Sequence, residues 1–600
     1  MKNVLTSLVA RQAGKYGDRA AVYYRRPDGK WLPYSWNEML TMVSNTACSY
    51  AALGIREESR VAVFSANDPF TLVSEFAAFA NRIVPVSIYA TSSENQVEFI
   101  VRDAQAEVIF VGDQTQYAIA RRVAARVDCL KQIVTYKPIV LHREDTTTLN
   151  FAQFMRIGEN ARSQWAAEVE RRTMAATPGD IATLLYTSGT TGDPKGAILT
   201  HGCFDAALEA HHRRLTSVSD KDTSMCFLPL SHVFEKGWTY FALDCGVRIY
   251  VNSNPREIQT TLAEVHPTCM CSVPRFWEKA YATILDKMGR MKPFKRWLCR
   301  RALEIGRRRN LDYVRRGCPV PTLLEWQYKF YYKNVFRQVQ RIMGVENGNI
   351  FPTAGAPLSN NITEFFRGMG VPIVVGYGLS ETTATVSCYP YVNYEIGSVG
   401  VPLDMLSVRI GENDEIQVKG PTVMRGYYNR PQENEAAFTA DGYFRTGDAG
   451  YIDKNGALFL TDRIKDLFKT SNGKYIAPQA IESRLGEDKY IEQVAVIGDN
   501  RKYVSALIVP SLPALKEYAG KNGIPYASDE DLVANPRINE MMAERIEGML
   551  SGLASFEKIK KFTLLPAEFT MEAGELTNTL KIRRPVINKR YADVIEAMYQ

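Results

Sequence analysis

The chain is predicted to be an α/β protein: a large N-terminal domain of β-α sheets with a small β-barrel-like unit, then a small α+β domain. Three observations predict this. Short apolar runs alternate with helical patterns through the first two thirds of the chain, as β-α units with parallel sheets require. From about Ile396 the texture changes to short strands joined by turns. After Asp466 a last segment carries two strand candidates among helices. The 600 residues exceed the roughly 100–200 of one domain, so about three or four structural units are expected. A hydrophobic content of 46% with 23% charged residues places the chain among globular proteins.

Taken in order, "RVAVFSA", "VPVSI" and "AEVIFVG" are the strand candidates of residues 60–112. "IATLLYT", "TSMCFLPL", "VRIYV" and "TCMCSVP" continue the series, and "VPIVVGYG" is a buried-strand candidate ending in a glycine turn. "GSVGVPLDMLSVRIGENDEIQVKG" reads as the small β unit. A boundary is expected between Asp462 and Asp466, and "VAVIGD" and "YVSALIVP" supply the strands of the last domain.

Several classes are excluded. No run of about 18 apolar residues occurs, so no membrane span is expected. The weakly apolar N-terminus before Arg11 is too short for a secretory leader, and a cytoplasmic protein is expected. Ten scattered cysteines without a C-x-x-C pair, and only six histidines, favour reduced thiols over disulfides or zinc. The net charge of +7 is local: residues 290–316 hold eleven Lys/Arg against Glu304 and Asp312, an excess of +9.

The chemistry concentrates in a few loops. "YTSGTTGDPKG", Tyr186 to Gly196, sets glycines, hydroxyls and Lys195 between two apolar runs. Such a turn aims backbone N–H groups at an anion, and lysine adds a point charge. Lys195 is followed by Gly196, so this is not the usual P-loop. On its own residues the stretch reads either as a polyphosphate loop or as a solvent turn. "GYGLSETT" offers Tyr377 for stacking on a flat base and Glu381 for Mg2+, which takes one or two carboxylates plus phosphate oxygens. "RTGDAGYI" presents Asp448 where a carboxylate can accept from sugar hydroxyls. Together these describe an ATP site.

Eight blocks in this order resemble the adenylate-forming (AMP-binding) superfamily: "YTSGTTGDPKGAILTH", "FLPLSHVFE", "TAGAPLS", "GYGLSETTA", "GSVGVPL", "GYYNRPQENEAAFTADGYFRTGDAGYI", "DRIKDLFKTSNGKYIAPQAIE" and "LTNTLKIRR". They span residues 186–584; residues 1–180 resemble the family in texture only. "FLPLSHVFEKG", "TAGAPLS" and "DLFKTSNGKYIAPQAIES" are most similar to long-chain fatty acyl-CoA synthetases. The resemblance implies a two-step, AMP-forming ligase using ATP, Mg2+ and CoA. A fatty acid is activated as acyl-AMP with release of pyrophosphate; a small domain then swings, and the acyl group passes to the CoA thiol. It implies a large acyl-adenylation domain, 1–464, and a mobile domain, 465–600, hinged at Lys465.

Residue roles follow from the same resemblance. Thr187, Ser188, Gly189, Thr190, Thr191, Gly192 and Lys195 hold the β- and γ-phosphates. Glu381, with Thr187, ligates Mg2+, and Thr382 meets the α-phosphate. Tyr377 and Gly378, with Gly355, Ala356 and Pro357, flank the adenine. Asp448 and Arg463 hold the ribose. Lys581 reaches the α-phosphate and carboxylate during adenylation. His232 lies beside the acyl carboxylate or is a core histidine, and Lys469 is a surface lysine or a residue of the second step. Asn472 and Gly473 stand where relatives have paired glycines, and Asn578 where many have proline. The alternatives left open are an acyl-AMP ligase serving a carrier protein, a ligase for medium-chain or aryl acids, and a binding protein without turnover.

The basic segment has an apolar row at Phe294, Leu298, Ala302 and Ile305, close to helical spacing. A basic amphipathic helix can lie on an anionic membrane, or can bury its row and turn its arginines to water or to CoA phosphates. Peripheral membrane contact through residues 290–316 is one expectation. Nucleic acid is not expected, because no recognised module accompanies the patch.

Overall fold

Among the described residues the strands before Ile464 form four sheets, three of them around the crossover helices and one a small β unit. The computed structural model describes residues 4–187, 194–464, 466–471, 474–571, 573–577 and 581–600. One sheet has seven strands: Leu149–Asn150, Gln132–Thr135, Ala106–Val111, Arg60–Phe64, Val84–Ile88, Ile181–Thr187 and Lys195–Thr200, in spatial order. All its pairings are parallel except the last, where Ile181–Thr187 turns back on Lys195–Thr200. Strands buried on both faces read as continuous apolar runs, which is why "AEVIFVG" and "VPVSI" were visible as strands. Crossover helices start at strong caps. Asp68 accepts from the Phe70 N–H before helix Pro69–Ala80, and Ser93 with Gln96 forms a capping box before Glu94–Ala104.

A second sheet has the order Thr223–Cys226, Arg248–Val251, Ala20–Arg25, Trp31–Ser35. A third has the order Phe351–Thr353, Ile373–Tyr377, Ser387–Cys388, Val401–Pro402. The expected strand "TCMCSVP" is reduced to isolated bridges at Cys269 and Ser272, which tie these two sheets together. The small β unit is a four-stranded antiparallel meander, Ser407–Ile410, Glu415–Lys419, Phe444–Ile452 and Leu458–Arg463. Its core of Ile416, Val418 and Leu458 packs on Tyr377 and Val386.

Beyond the meander lie a hairpin, Phe468–Lys469 with Tyr475–Ile476, and a three-stranded sheet of Ile491–Ile497, Ser505–Pro510 and Lys561–Leu564. Helices on both faces give this part its own apolar cores, one around Ile508, Leu515 and Met542 and another around Leu507, Phe569 and Ile587. All ten cysteines are free thiols. Among the described residues no helix is long and apolar enough to cross a membrane.

Candidate active site

Strand ends from two sheets meet the meander and the last segment of the chain in one cleft. Thr187 ends its strand opposite Lys195, so the phosphate-loop candidate is the tip of a hairpin. Ser188, Gly189, Thr190, Thr191 and Gly192 of that tip lie outside the described residues, as do Lys465, Asn472, Gly473 and Asn578. Lys195 comes 3.8 Å from Glu433 and stands 5.4 Å above the Tyr427 ring.

Tyr427 reaches this place through a backbone seam that was not read from the sequence. The outer edge of Lys195–Thr200 bonds the 425–428 segment: Ile198 N–H donates to the Gly426 carbonyl at 2.9 Å and Tyr428 N–H to the Gly196 carbonyl at 2.8 Å. The Tyr427 hydroxyl then donates to Glu381 Oε1 at 2.9 Å. Tyr427 thus joins Lys195 and Glu381. Its block, "GYYNRPQ", was matched without a role for this ring.

Glu381 rides on the short 3-10 turn Ser380–Thr382 that follows strand Ile373–Tyr377. The turn is pinned where the Met424 N–H donates to the Glu381 carbonyl at 2.8 Å. Thr382 is wholly buried, and its hydroxyl accepts from the Leu379 N–H at 3.0 Å. In this arrangement the hydroxyl holds the turn, bonding both the N–H and the carbonyl of Leu379. Gly378 has a backbone reason as well: a Cβ there would lie 1.4 Å from the Ala384 carbonyl oxygen.

The meander supplies the next pair. Asp448 and Arg463 are register partners across adjacent strands, and Arg463 Nε donates to Asp448 Oδ1 at 3.1 Å. The Tyr377 hydroxyl donates to Asp448 Oδ2 at 2.6 Å. Tyr377 is therefore nearly buried and links the base side of the site to the ribose side, and burial beside Asp448 holds its phenol well above the usual range. The turn with Gly355, Ala356 and Pro357 is exposed, with Gly355 at φ +93°, and the Pro357 carbonyl accepts from Ser483 Oγ at 3.2 Å.

His232 caps helix Val233–Asp244: its Nδ1 accepts from the Phe234 N–H at 3.2 Å. The proton of the neutral ring therefore sits on Nε2, free to donate. Desolvation, and then the Lys581 charge, lowers its pKa to about 4, so the ring is neutral at pH 7. His232, Val233, Phe234 and Trp238 line a cleft with Ala354, Gly355, Val374, Gly376 and Tyr377. Its inner wall is Leu215, Cys388 and the pair His211 Nε2–Thr385 Oγ1, 2.9 Å apart. The enclosed part of the cleft is narrow, about 60 Å³, below the roughly 300–1,000 Å³ of small-molecule sites.

Lys581, from the last segment, lies close enough for its charge to reach His232. It is reached by solvent, yet protein crowds it enough that desolvation, then Arg463, lowers its pKa, while Asp448, Asp466 and Glu381 pull it back up. Its charge acts on His232 in turn. Lys469 is not part of this group: it lies on the exposed face of the 468–476 hairpin with its ammonium 5.4 Å above Tyr475.

A metal fits this site in one way only. Among the described residues no three His, Cys, Asp or Glu cluster into a metal cage. Glu381 Oε1 accepts from Tyr427 alone, and its second oxygen has no protein donor among the described residues. A single carboxylate with a spare oxygen suits Mg2+ arriving with polyphosphate.

Beneath the site, Lys236 of the His232 helix is buried in an ion pair with Glu75, which also accepts from Tyr240 at 2.6 Å. Glu235, wholly buried, accepts from the Leu228 N–H at 3.1 Å, and burial pushes its pKa up to about 8.

Comparison with known proteins gives the family. The chain matches the model of the AMP-binding enzyme family over residues 9–428 and that of the AMP-binding enzyme C-terminal domain over residues 465–600. It is 31% identical to a long-chain-fatty-acid–CoA ligase of Mycobacterium bovis, covering 96% of this chain and 94% of that one. It is 27% identical to a long chain acyl-CoA synthetase of Arabidopsis thaliana, over 95% and 87% of the two chains. Among solved structures, the adenylation domain of a Mycobacterium chelonae carboxylate reductase superposes with a TM-score of 0.74 at 21% identity, over 99% of this chain and 91% of that one.

Proposed function

Because the chain belongs to the AMP-binding enzyme family, we propose that it is an ATP-dependent long-chain fatty acid–CoA ligase. One observation supports the reading: the Lys581 ammonium lies within the electrostatic reach of His232, Glu381 and the Asp448–Arg463 pair, and His232 lines an apolar cleft. In the first step a carboxylate oxygen forms a bond to the α-phosphorus of ATP, and the bond to the β-phosphate oxygen breaks. His232 Nε2–H and the Lys581 ammonium orient the attacking carboxylate. Lys195 and the hairpin tip hold the leaving pyrophosphate, and Asp448 with Arg463 fixes the ribose. Preplaced cations and donors of this kind are the main source of catalysis where two anions meet. Glu381 holds Mg2+, which neutralises phosphate charge when bound. Trp238, Leu215 and Val374 exclude water from the acyl chain.

In the second step the CoA sulfur bonds the acyl carbon and the bond to AMP oxygen breaks. Residues 465–600 are the mobile domain in this reading, with Lys465 the hinge and Lys469 a residue of the second arrangement. The fatty acid is drawn from a lipid surface beside the large domain.

The test is pyrophosphate release with ATP, Mg2+ and acids from acetate to oleate, with and without CoA. Continuous turnover with long-chain acids only when CoA is present is expected. A stoichiometric burst that CoA cannot convert into turnover would assign the acyl group to a carrier protein instead. Silence with every fatty acid would overturn the reading.

A further inference from the structure

We propose that Asn67 is a positioning residue for His232: its side-chain amide clamps the loop that presents the imidazole to the acyl cleft. The proposal rests on the ligase reading for what His232 does once it is placed. Segment 227–231 leaves strand Thr223–Cys226 and enters helix Val233–Asp244 at His232. A loop has no ladder of its own, so its buried backbone groups must find partners elsewhere. Asn67 supplies two of them. Its Nδ2 donates to the Leu228 carbonyl at 2.7 Å, and its Oδ1 accepts from the Leu230 N–H at 2.8 Å. The Leu228 N–H donates to Glu235 Oε2 at 3.1 Å, and the His232 N–H to the Pro229 carbonyl at 2.9 Å. Asn67 is 6% exposed, so water does not compete for either bond. One short planar group gives both a donor and an acceptor here; aspartate would lack the donor and glutamine would be a methylene too long.

Asn67 is itself held in place. It lies between strand Arg60–Phe64 and helix Pro69–Ala80, and the next residue, Asp68, caps that helix. Further along the same helix Glu75 pairs with Lys236 and accepts from Tyr240, both on the His232 helix. One element of the N-terminal sheet therefore grips the His232 segment on both sides, at 228 and 230 before the ring and at 236 and 240 after it. The grip matters because the Nε2–H has to meet one carboxylate oxygen. A misplacement of about 1 Å, caused by a change far from the chemistry, can cost about 100-fold in rate. Asn67 touches no reacting atom in this account; it acts through the loop.

The test uses the full-length protein with isotope-labelled histidine, read by NMR. The His232 ring signal is assigned by its absence in His232→Asn. Asn67→Asp keeps the acceptor for the Leu230 N–H and sets a carboxylate oxygen against the Leu228 carbonyl. The His232 signal is expected to shift and broaden. The His201 signal should stay, because that ring packs edge-on against Phe79 of helix Pro69–Ala80, with centroids 5.3 Å apart, and reports on the helix rather than the loop. Asn67→Ala, read in the same way, serves where the buried carboxylate prevents folding. Acid-dependent pyrophosphate exchange gives the second readout. Asn67→Asp should raise the acid KM about 3- to 10-fold, the worth of one ordinary hydrogen bond, with the ATP KM unchanged. In the His232→Asn background the same substitution should change the acid KM by less than about twofold, because a residue that acts through His232 has nothing left to act on. A His232 signal that stays in place in a folded variant would overturn the proposal, as would an equal rise in KM in both backgrounds. Joint displacement of the His201 and His232 signals would overturn it in favour of a general packing role. If His232→Asn itself leaves the acid KM unchanged, the ligase reading of His232 fails, and the ring signals still decide whether Asn67 seats it.

Discussion

Replacing Lys581 by alanine tests the site where it is most specific. The ammonium stands in a cleft that solvent reaches, within the field of Asp448, Asp466 and Glu381 on one side and Arg463 on the other. In the resting protein the ammonium makes no ion pair among the described residues, so its loss disturbs the ground state little. During adenylation the balance changes, because carboxylate and phosphate charge gather at the point the ammonium faces. Loss of one preplaced donor to such charge costs roughly 10²- to 10³-fold in rate, about 2.7–4 kcal/mol. The expected result is a fall of that size in acid-dependent pyrophosphate exchange. The ATP dissociation constant should move by less than about threefold, since ground-state binding is not what was removed. Acyl transfer from preformed acyl-AMP to CoA should also survive, because Lys581 has no part in that step. The pH profile adds a second readout. A lowered lysine pKa means the catalytic charge is lost on the alkaline side sooner than an ordinary lysine loses it. Lys581→Arg should extend the alkaline limb, because guanidinium stays charged. Exchange within tenfold of the wild type in the alanine variant would refute the assignment.

Three further outcomes follow from the geometry. His232→Asn should keep an acceptor for the Phe234 N–H, and so the melting temperature, while raising the acid KM about 10- to 150-fold, the worth of a hydrogen bond to a charged group. Because the folded pKa of His232 is about 4, below the ordinary 6.5, its contribution to stability is present above pH 6.5 and lost as pH falls toward 4; denaturation midpoints across that range should flatten in the variant. Tyr427→Phe removes the 2.9 Å bond to Glu381 and should raise the Mg2+ concentration for half-maximal adenylation several-fold, with a melting temperature near that of the wild type. Glu235, with a folded pKa near 8 against an ordinary 4.5, stays protonated longer in the fold than in the unfolded chain, so its contribution is full below pH 4.5 and lost as pH rises to 8. Glu235→Gln should remove that slope, which is at most about 5 kcal/mol over the interval, in urea melts at pH 5, 6, 7 and 8.

Much of the fold was legible because buried parallel strands are written as unbroken apolar runs. "VIFV" and "IVVGY" run into glycine turns, and "VAVF" into the Asn67–Asp68 turn that caps the next helix. The loops of the site were legible for a different reason: glycines, hydroxyls and single charges sit at strand ends where a core would not keep them. What was not legible came from contacts far apart in the chain. Tyr427 meets Lys195 and Glu381 only because the 425–428 segment seals the edge of strand Lys195–Thr200. Glu75 interrupts an apolar stretch and reads as a surface charge, but it is buried with Lys236 and Tyr240 under the helix that carries His232. "TLLEWQYKFY" hides two apolar stripes on one helix, and only the fold shows which is inside. Thr382 shows the converse: a hydroxyl in a phosphate-binding block spends its bonds on the turn that holds Glu381.

The contact that brings Lys581 into the cleft is itself informative. It is made of charges and hydroxyls: Arg275 and Lys279 on Glu492, Lys489 on Asp286, Arg290 on Glu517, and Ser359 on Glu487. Most of these groups are partly exposed, and such pairs contribute about 0–1 kcal/mol each. Each part meanwhile keeps its apolar residues in cores of its own, around Val108, Phe110 and Trp277 on one side and Ile508 and Leu515 on the other. The polar contacts between the two parts are therefore individually weak. An interface of this kind can release Lys581 after the first step and admit a second nucleophile. One sealed by leucines would hold the enzyme in the arrangement that makes acyl-AMP and leave no route to acyl transfer. A weak polar contact between the parts is thus what the proposed two-step reaction would require of the chain.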